Sequence, residues 1–381
     1  MISDLFQKLE QRQADGLYRK RQVLDSPQGA RVLRGGRVLV NFCSNDYLGL
    51  AAHPDLIAAA QAGAARWGVG SGASHLVCGH FAAHEVMEKR FAGWVGKPVA
   101  LSFSTGYMAN LAVITALVGR GDAVFSDKLN HASLNDAVLL SRADFRRYAH
   151  NDLAALERML ATSAAPNKLI VVDAVFSMDG DLAPLADLLE LAERYDAWLY
   201  LDDAHGFGVL GGGRGALAEA GLDSPRIIYM ATLGKAVGVA GALVAAEEAV
   251  IDWLVNSARS YIYTTAAPPM LAEAVLASFD VIENEVWRRE RLAAHIGAFR
   301  AGLAGLPCEL LDSPTPIQPL LVADNQTALA LSAALLERGF WVAAIRPPTV
   351  PTPRLRVTFS AEHTEEEVAG LIAALKVLLQ T

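Results

Sequence analysis

Trp198-Leu199-Tyr200-Leu201-Asp202-Asp203-Ala204-His205 decides the fold, because four apolar residues run directly into two aspartates and a histidine. A short apolar run that stops at polar residues is the pattern of a strand buried on both faces, with its carboxyl end opening at a sheet edge. The same alternation of strand-like and helical runs extends from about Pro98 to Ala245. Strands are expected at Val99 to Phe103, Ala123 to Ser126, Phe145 to Tyr148, Leu169 to Asp173, Trp198 to Leu201, Ile227 to Ala231 and Gly241 to Ala245. The intervening segments carry helical periodicity: after Pro184, Leu185, Leu188, Leu189 and Ala192 form one apolar stripe, and Asp187, Glu190 and Glu193 form the polar face. The expected fold class is α/β, with a seven-stranded, mostly parallel sheet and helices on both faces.

Open α/β sheets take ligands at the carboxyl ends of their strands. Asp202 and His205 are expected at that edge. Thr232-Leu233-Gly234-Lys235 ends the next apolar run and precedes the small-residue run Ala236 to Ala245. A lysine so placed has a buried stem and an amine that reaches a ligand, and it titrates below a surface lysine. Taken singly, such a lysine is an ordinary solvated side chain and such an Asp-x-x-His an ordinary polar loop. Taken together they suit pyridoxal phosphate, which needs a lysine for its Schiff base and an acid beside its pyridinium nitrogen. Three further segments fit. Ser104-Thr105-Gly106-Tyr107 joins a strand to a helix, where backbone N–H groups hold a phosphate. Asn130-His131-Ala132-Ser133 offers either a ring that lies on an aromatic ligand or a helix cap. Asp173-Ala174-Val175-Phe176-Ser177 brings Ser177 to the same edge, or simply makes a turn.

With 381 residues, 52% of them apolar and 19% charged, the chain suits two domains. The net charge of −8 is spread without blocks, which points to small-molecule partners, with no nucleic acid and no membrane. Cys43, Cys78 and Cys308 lack metal or redox spacing, so no metal is expected and the thiols read as reduced and mostly buried. With an amphipathic start and no long apolar span, a cytoplasmic protein is expected. The expected division is an amino-terminal arm over 1–45, a large domain over 46–285 and a small α+β domain over 286–381. A long helix is expected from Pro268-Pro269 through the charged stretch Asn284 to Arg291 towards Leu303. A last helix opens with the capping pair Thr364 and Glu367 and carries Val368, Leu371, Ile372, Leu375 and Leu378 on one face. Gly206-Phe207-Gly208-Val209-Leu210-Gly211 matches a dinucleotide fingerprint by letter, but it runs into more glycines where a helix should open. Gly68, Gly70 and Gly72 make a loop that suits a substrate entrance.

Asn41-Phe42-Cys43-Ser44-Asn45-Asp46-Tyr47-Leu48-Gly49-Leu50, Phe176-Ser177-Met178-Asp179-Gly180-Asp181, Asp202-Asp203-Ala204-His205 and Thr232-Leu233-Gly234-Lys235 together resemble the α-oxoamine synthases of the fold-type I pyridoxal phosphate superfamily. The resemblance covers nearly the whole chain. Ala149-His150-Asn151-Asp152 and Ala344-Ile345-Arg346-Pro347-Pro348-Thr349-Val350-Pro351, followed by Arg354-Leu355-Arg356, resemble the branch that condenses L-alanine with a pimeloyl thioester. The acyl donor would be carried on coenzyme A or an acyl carrier protein. The resemblance implies that Lys235 binds the cofactor aldehyde, Asp202 pairs with the ring nitrogen, His205 lies near the phenolic oxygen and His131 stacks on the ring. Thr105, Gly106, Tyr107 and Thr232 would hold the phosphate. Thr264 or Thr265 would reach the phosphate of a neighbouring subunit, so that a homodimer shares its sites. Asn45 and Ser177 would line the pocket. Arg356, and less so Arg354, would receive the amino-acid carboxylate, with Arg19 and Arg21 as further substrate contacts. The sequence departs from the pattern at Asp173, in place of glutamate, at Ala73, in place of glycine, and at Cys78, in place of a small hydroxyl residue. Other readings are the glycine-using sister enzymes, 2-amino-3-ketobutyrate ligase and 5-aminolevulinate synthase, and a non-catalytic partner subunit.

Overall fold

The computed structural model describes residues 2–380; Met1 and Thr381, the outermost residues of the expected arm and small domain, lie outside it. Seven strands form the main sheet: β1 Val99–Phe103, β2 Ala123–Asp127, β3 Asp144–Tyr148, β4 Lys168–Asp173, β5 Trp198–Asp202, β6 Ile227–Thr232 and β7 Ala242–Ala246. Each lies within one residue of its expected bounds. Their order is β1-β7-β6-β5-β4-β2-β3. The run from β6 to β3 is parallel, and β7 is antiparallel to both β1 and β6. The carboxyl ends of β6, β5, β4 and β2 therefore share one edge, and Asp173 and Asp202 stand side by side there in register. Phe125, Tyr200 and Tyr229 are fully buried in these strands. Removal of such a side chain from water contributes roughly 1.5–3 kcal/mol, which is why the continuous apolar runs settle at the centre of the sheet.

The described residues fall into two compact units. One comprises Leu50–Ser177 and Asp181–Arg289 and contains the main sheet. The other comprises the described residues up to Gly49, Met178–Gly180 and those from Glu290 onward. In this second unit a hairpin of Arg31–Arg34 and Arg37–Asn41 takes Phe340–Trp341 as its third strand. A four-stranded sheet runs in the order Glu309–Leu310, Ile317–Leu321, Arg354–Thr358, Ala343–Ile345. The helix Glu365–Leu379 starts with the Thr364/Glu367 capping box and buries Val368, Leu371 and Leu375.

Three expectations need correction. The long helix after Pro268 is two helices, Pro269–Asn284 and Trp287–Leu303. Glu285 leaves the helical well at φ −96°, ψ 64°, and its carboxylate accepts from Arg288 Nε at 2.8 Å, which anchors the start of the second helix. The thiols are not mostly buried: Cys78 is exposed, and Cys43 and Cys308 are half-buried. Cys78 lies in the single turn His75–Gly79, too short to cover its own side chains. Helix Leu185–Arg194 begins one residue after Pro184, which sits at its cap. The glycine-rich segment at 206–211 forms turns that lead into the short 3-10 turn Gly211–Gly213 and opens no helix. No helix among the described residues is long and apolar enough to cross a membrane.

Candidate active site

The loop from β6 to β7 carries Lys235. The Leu233 N–H donates to Gly241 O at 2.9 Å, and the Gly238 N–H to Lys235 O at 2.9 Å, which closes a tight turn around the lysine. Gly238 has φ +74°, and a Cβ there would meet the backbone of Leu50 and Ala51 at 2.6 Å, so only glycine fits. Lys235 is half-buried. It lines a cavity of about 180 Å³ with Gly106, Tyr107, Asn110, His131, Ser133, Asp173, Ser177, Asp202, Ala204, His205 and Thr232.

This cavity brings together most of the expected cofactor residues. Thr105 is not in its lining: it caps helix Gly106–Leu117, its hydroxyl accepting from the Met108 N–H at 3.1 Å. The first turn of that helix presents Gly106 to Thr232, and a Cβ on Gly106 would lie 2.5 Å from Thr232 Cγ2. Gly106 and Thr232 thus pack closely beside a helix N-terminus, whose free N–H groups can cradle a phosphate. Thr264 and Thr265, between helices Arg259–Ile262 and Pro269–Asn284, do not line the cavity. Tyr107 bonds Asp136 through its hydroxyl.

The two adjacent aspartates have separate fates. Asp202, buried, accepts from Asn110 Nδ2 at 2.8 Å and from the Ala204 N–H at 3.1 Å. Asp203 accepts from the Tyr229 hydroxyl at 2.5 Å and the Ala216 N–H at 2.7 Å, away from the cavity lining. Burial pushes Asp203 up to about 7 despite those bonds. Asp173 accepts from the His131 N–H at 2.6 Å. Burial, then the charge of Asp202 beside it, hold Asp173 well above the usual carboxylate range. The cavity therefore holds an acid flanked by donors, a histidine ring, a lysine and a phosphate cradle, which is the donor set that a phosphorylated pyridine aldehyde requires.

The other expected contacts lie in the second unit. Arg356 is buried and donates to Asn45 Oδ1 at 3.1 Å, so these two are brought together. Arg354 is tied to the Asp179 carboxylate and the Met178 carbonyl. Arg19 and Arg346 line a second cavity of about 150 Å³ with Thr349, to which Arg19 donates at 2.9 Å. Arg21 is exposed and outside that lining. Sequence reasoning assigned no role to Arg346, Asn110 or Ser133, although Arg346 and Ser133 lie in quoted motifs.

His150 explains the Ala149-His150-Asn151-Asp152 motif structurally. Its Nε2 bonds Asp181 at 2.7 Å, its Nδ1 bonds Asp127 at 3.2 Å, and Phe176 meets the ring edge-on at 4.4 Å. Burial opposes protonation, but the bonds to the two carboxylates outweigh it and push the imidazolium up to about 10. A folded-state value raised above the unfolded 6.5 stabilises fully below about 6.5 and is lost as pH rises through about 10. Denaturation measured across that window should show stability falling towards alkaline pH, and His150→Gln should flatten this component of the slope. An unchanged slope in the variant would remove His150 from the account.

His75, His80 and His84 also approach one another. His84, however, accepts from the Phe81 N–H at 3.1 Å and bonds Ala267 O at 2.9 Å, so both its nitrogens are occupied by backbone. The trio is a hydrogen-bond cluster, in which burial and the two neighbouring histidines hold His75 down to about 3.

The family model for aminotransferase class I and II matches residues 37–375. An 8-amino-7-oxononanoate synthase from Nitrosomonas europaea is 59% identical, with 100% of each chain covered. One from Chromobacterium violaceum is 60% identical over 95% of this chain and 94% of its own. Among solved structures, a serine palmitoyltransferase from S. paucimobilis with bound PLP superposes with a TM-score of 0.93 at 28% identity, covering 98% of this chain and 96% of that one. An 8-amino-7-oxononanoate synthase from Francisella tularensis gives a TM-score of 0.79 at 32% identity, over 90% and 97%.

Proposed function

Because this chain belongs to the aminotransferase class I and II family and, within it, to the 8-amino-7-oxononanoate synthases, we propose that the cavity around Lys235 is its pyridoxal phosphate site and reaction centre. The reaction is the decarboxylative condensation of L-alanine with a pimeloyl thioester to 8-amino-7-oxononanoate, carbon dioxide and free thiol, in biotin biosynthesis. The observation that carries the site assignment is that Lys235, Asp202, His131, His205, Ser177 and Thr232 line one cavity at the carboxyl edge of a parallel sheet.

When bound, pyridoxal phosphate supplies an aldehyde that joins covalently to an amine and a protonated ring that accepts the electron pair left at Cα. Lys235 would hold the aldehyde, and its amine would serve as the base for the Cα proton of alanine. Asp202 would keep the proton on the ring nitrogen, because a carboxylate in contact favours the charged form. The amide of Asn110 holds that carboxylate in place. His131 and His205 would hold the ring, and Gly106, Tyr107 and Thr232 would hold the phosphate, with Thr105 fixing the helix start. Arg356 takes the alanine carboxylate through its guanidinium fork, with Asn45 orienting it. The Arg19/Arg346 cavity suits the distal carboxylate of the pimeloyl chain, since two guanidiniums there face one small space. Burial and the neighbouring Arg19 lower the Arg346 value, and a carboxylate between them would relieve that repulsion.

The working form is a homodimer in the cytoplasm, in which Thr264 or Thr265 of each chain reaches the partner's phosphate. The acyl donor is carried by coenzyme A or by a carrier protein. Thiol release assayed with each donor should depend on alanine and not on glycine. Release with glycine at a comparable rate would move the chain to the glycine-using sister enzymes, and none with either amino acid would favour a non-catalytic partner.

A further inference from the structure

We propose that Asn110 and Ser133 are positioning residues that hold His131 in the tautomer protonated at Nε2 while fixing the Asp202 carboxylate; this rests on the cofactor assignment above. The direction of each hydrogen bond follows from the partners. Asn110 is buried on helix Gly106–Leu117, and its Oδ1 lies 2.6 Å from the Tyr200 hydroxyl. Burial, then Asp202 and Asp173 nearby, hold that phenol well above its usual range, so it stays protonated and donates. The Asn110 Nδ2 therefore faces the other way, with one hydrogen for Asp202 Oδ2 at 2.8 Å and one for Ser133 Oγ at 2.8 Å. The flipped amide would set Oδ1 against the carboxylate oxygen, which is repulsive.

Ser133 Oγ accepts from Asn110, so its own hydrogen goes to its remaining partner, His131 Nδ1, at 2.7 Å. The Ser133 N–H also points at Nδ1, at 3.3 Å. Two donors aimed at one ring nitrogen require a lone pair there, which leaves the imidazole proton on Nε2. One chain of donors thus runs from Tyr200 through Asn110 and divides, one branch to the acid and one to the histidine. A residue at Asn110 that cannot donate twice breaks both branches.

The test is nitrogen NMR of ¹⁵N-histidine-labelled holoprotein, with the His131 signals assigned by His131→Gln. Wild type is expected to show Nδ1 unprotonated and Nε2 protonated at neutral pH. In Ser133→Ala and in Asn110→Leu the Nδ1-protonated fraction should rise about fivefold, the factor that one hydrogen bond is worth. In both, kcat should fall by a similar factor while KM for alanine holds. A wild-type His131 protonated on Nδ1, or an unchanged tautomer in Ser133→Ala, overturns the proposal, and Ser133→Ala decides alone if Asn110→Leu fails to fold. Borohydride reduction of the same samples separates the two levels. A label on Lys235 with no tautomer shift sinks only this inference, whereas no label on wild-type Lys235 sinks the cofactor reading.

Discussion

Lys235→Ala should fold, retain no covalently attached cofactor after dialysis against pyridoxal phosphate and borohydride reduction, and give no measurable thiol release. The lysine lies on a loop closed by backbone bonds from Leu233 and Gly238, so the loop should keep its conformation in the variant. The rate loss should be at least roughly 10²–10⁴-fold, the range for removal of a positioned base, and larger because the covalent anchor goes with it. Peptide mapping of the reduced wild type should put the label on Lys235. A label on any other lysine, or an active purified variant, would refute the assignment.

Asp202→Asn should lower kcat by roughly 10²–10³-fold, the scale for loss of one preorganised electrostatic partner, with little change in KM for alanine. An amide cannot hold the ring nitrogen protonated, so Cα proton removal slows while binding of the carboxylate at Arg356 does not change. Deuterium exchange at the alanine Cα reads this step directly. Asp203→Asn is the control. Its carboxylate bonds Tyr229 and Ala216, so the variant should lose about 1–3 kcal/mol of stability and keep most of its exchange rate. Equal exchange losses in the two variants would mean that Asp202 has no special electronic role.

These two aspartates also mark a limit of sequence reading. Adjacent residues at a strand end point to opposite faces, and the letters Asp-Asp do not show which face holds the ligand. Asp202 is the candidate acid because it directly follows the strand, the family resemblance implies the same role, and the lining of the cavity supports it through packing. Arg354, the lesser candidate for the substrate carboxylate, has a partner that the letters do not show: it meets the Asp179 carboxylate, far away in the chain. The Tyr200-Asn110-Ser133-His131 relay left no motif of its own, because its members lie on one strand and two helices and meet only when the sheet has formed.

The sequence by itself determined the seven strands, the capping box at Thr364 and the edge at which chemistry would gather. All of these follow from local periodicity, turn residues and the burial of continuous apolar runs. The tertiary structure alone decided which polar groups at that edge share a cavity and which are bound elsewhere, and that the arm's hairpin takes Phe340–Trp341 as its third strand. The reason is physical: secondary structure depends on neighbours in sequence, whereas a hydrogen-bond partner for a buried polar group is chosen among residues that only folding brings within 3 Å.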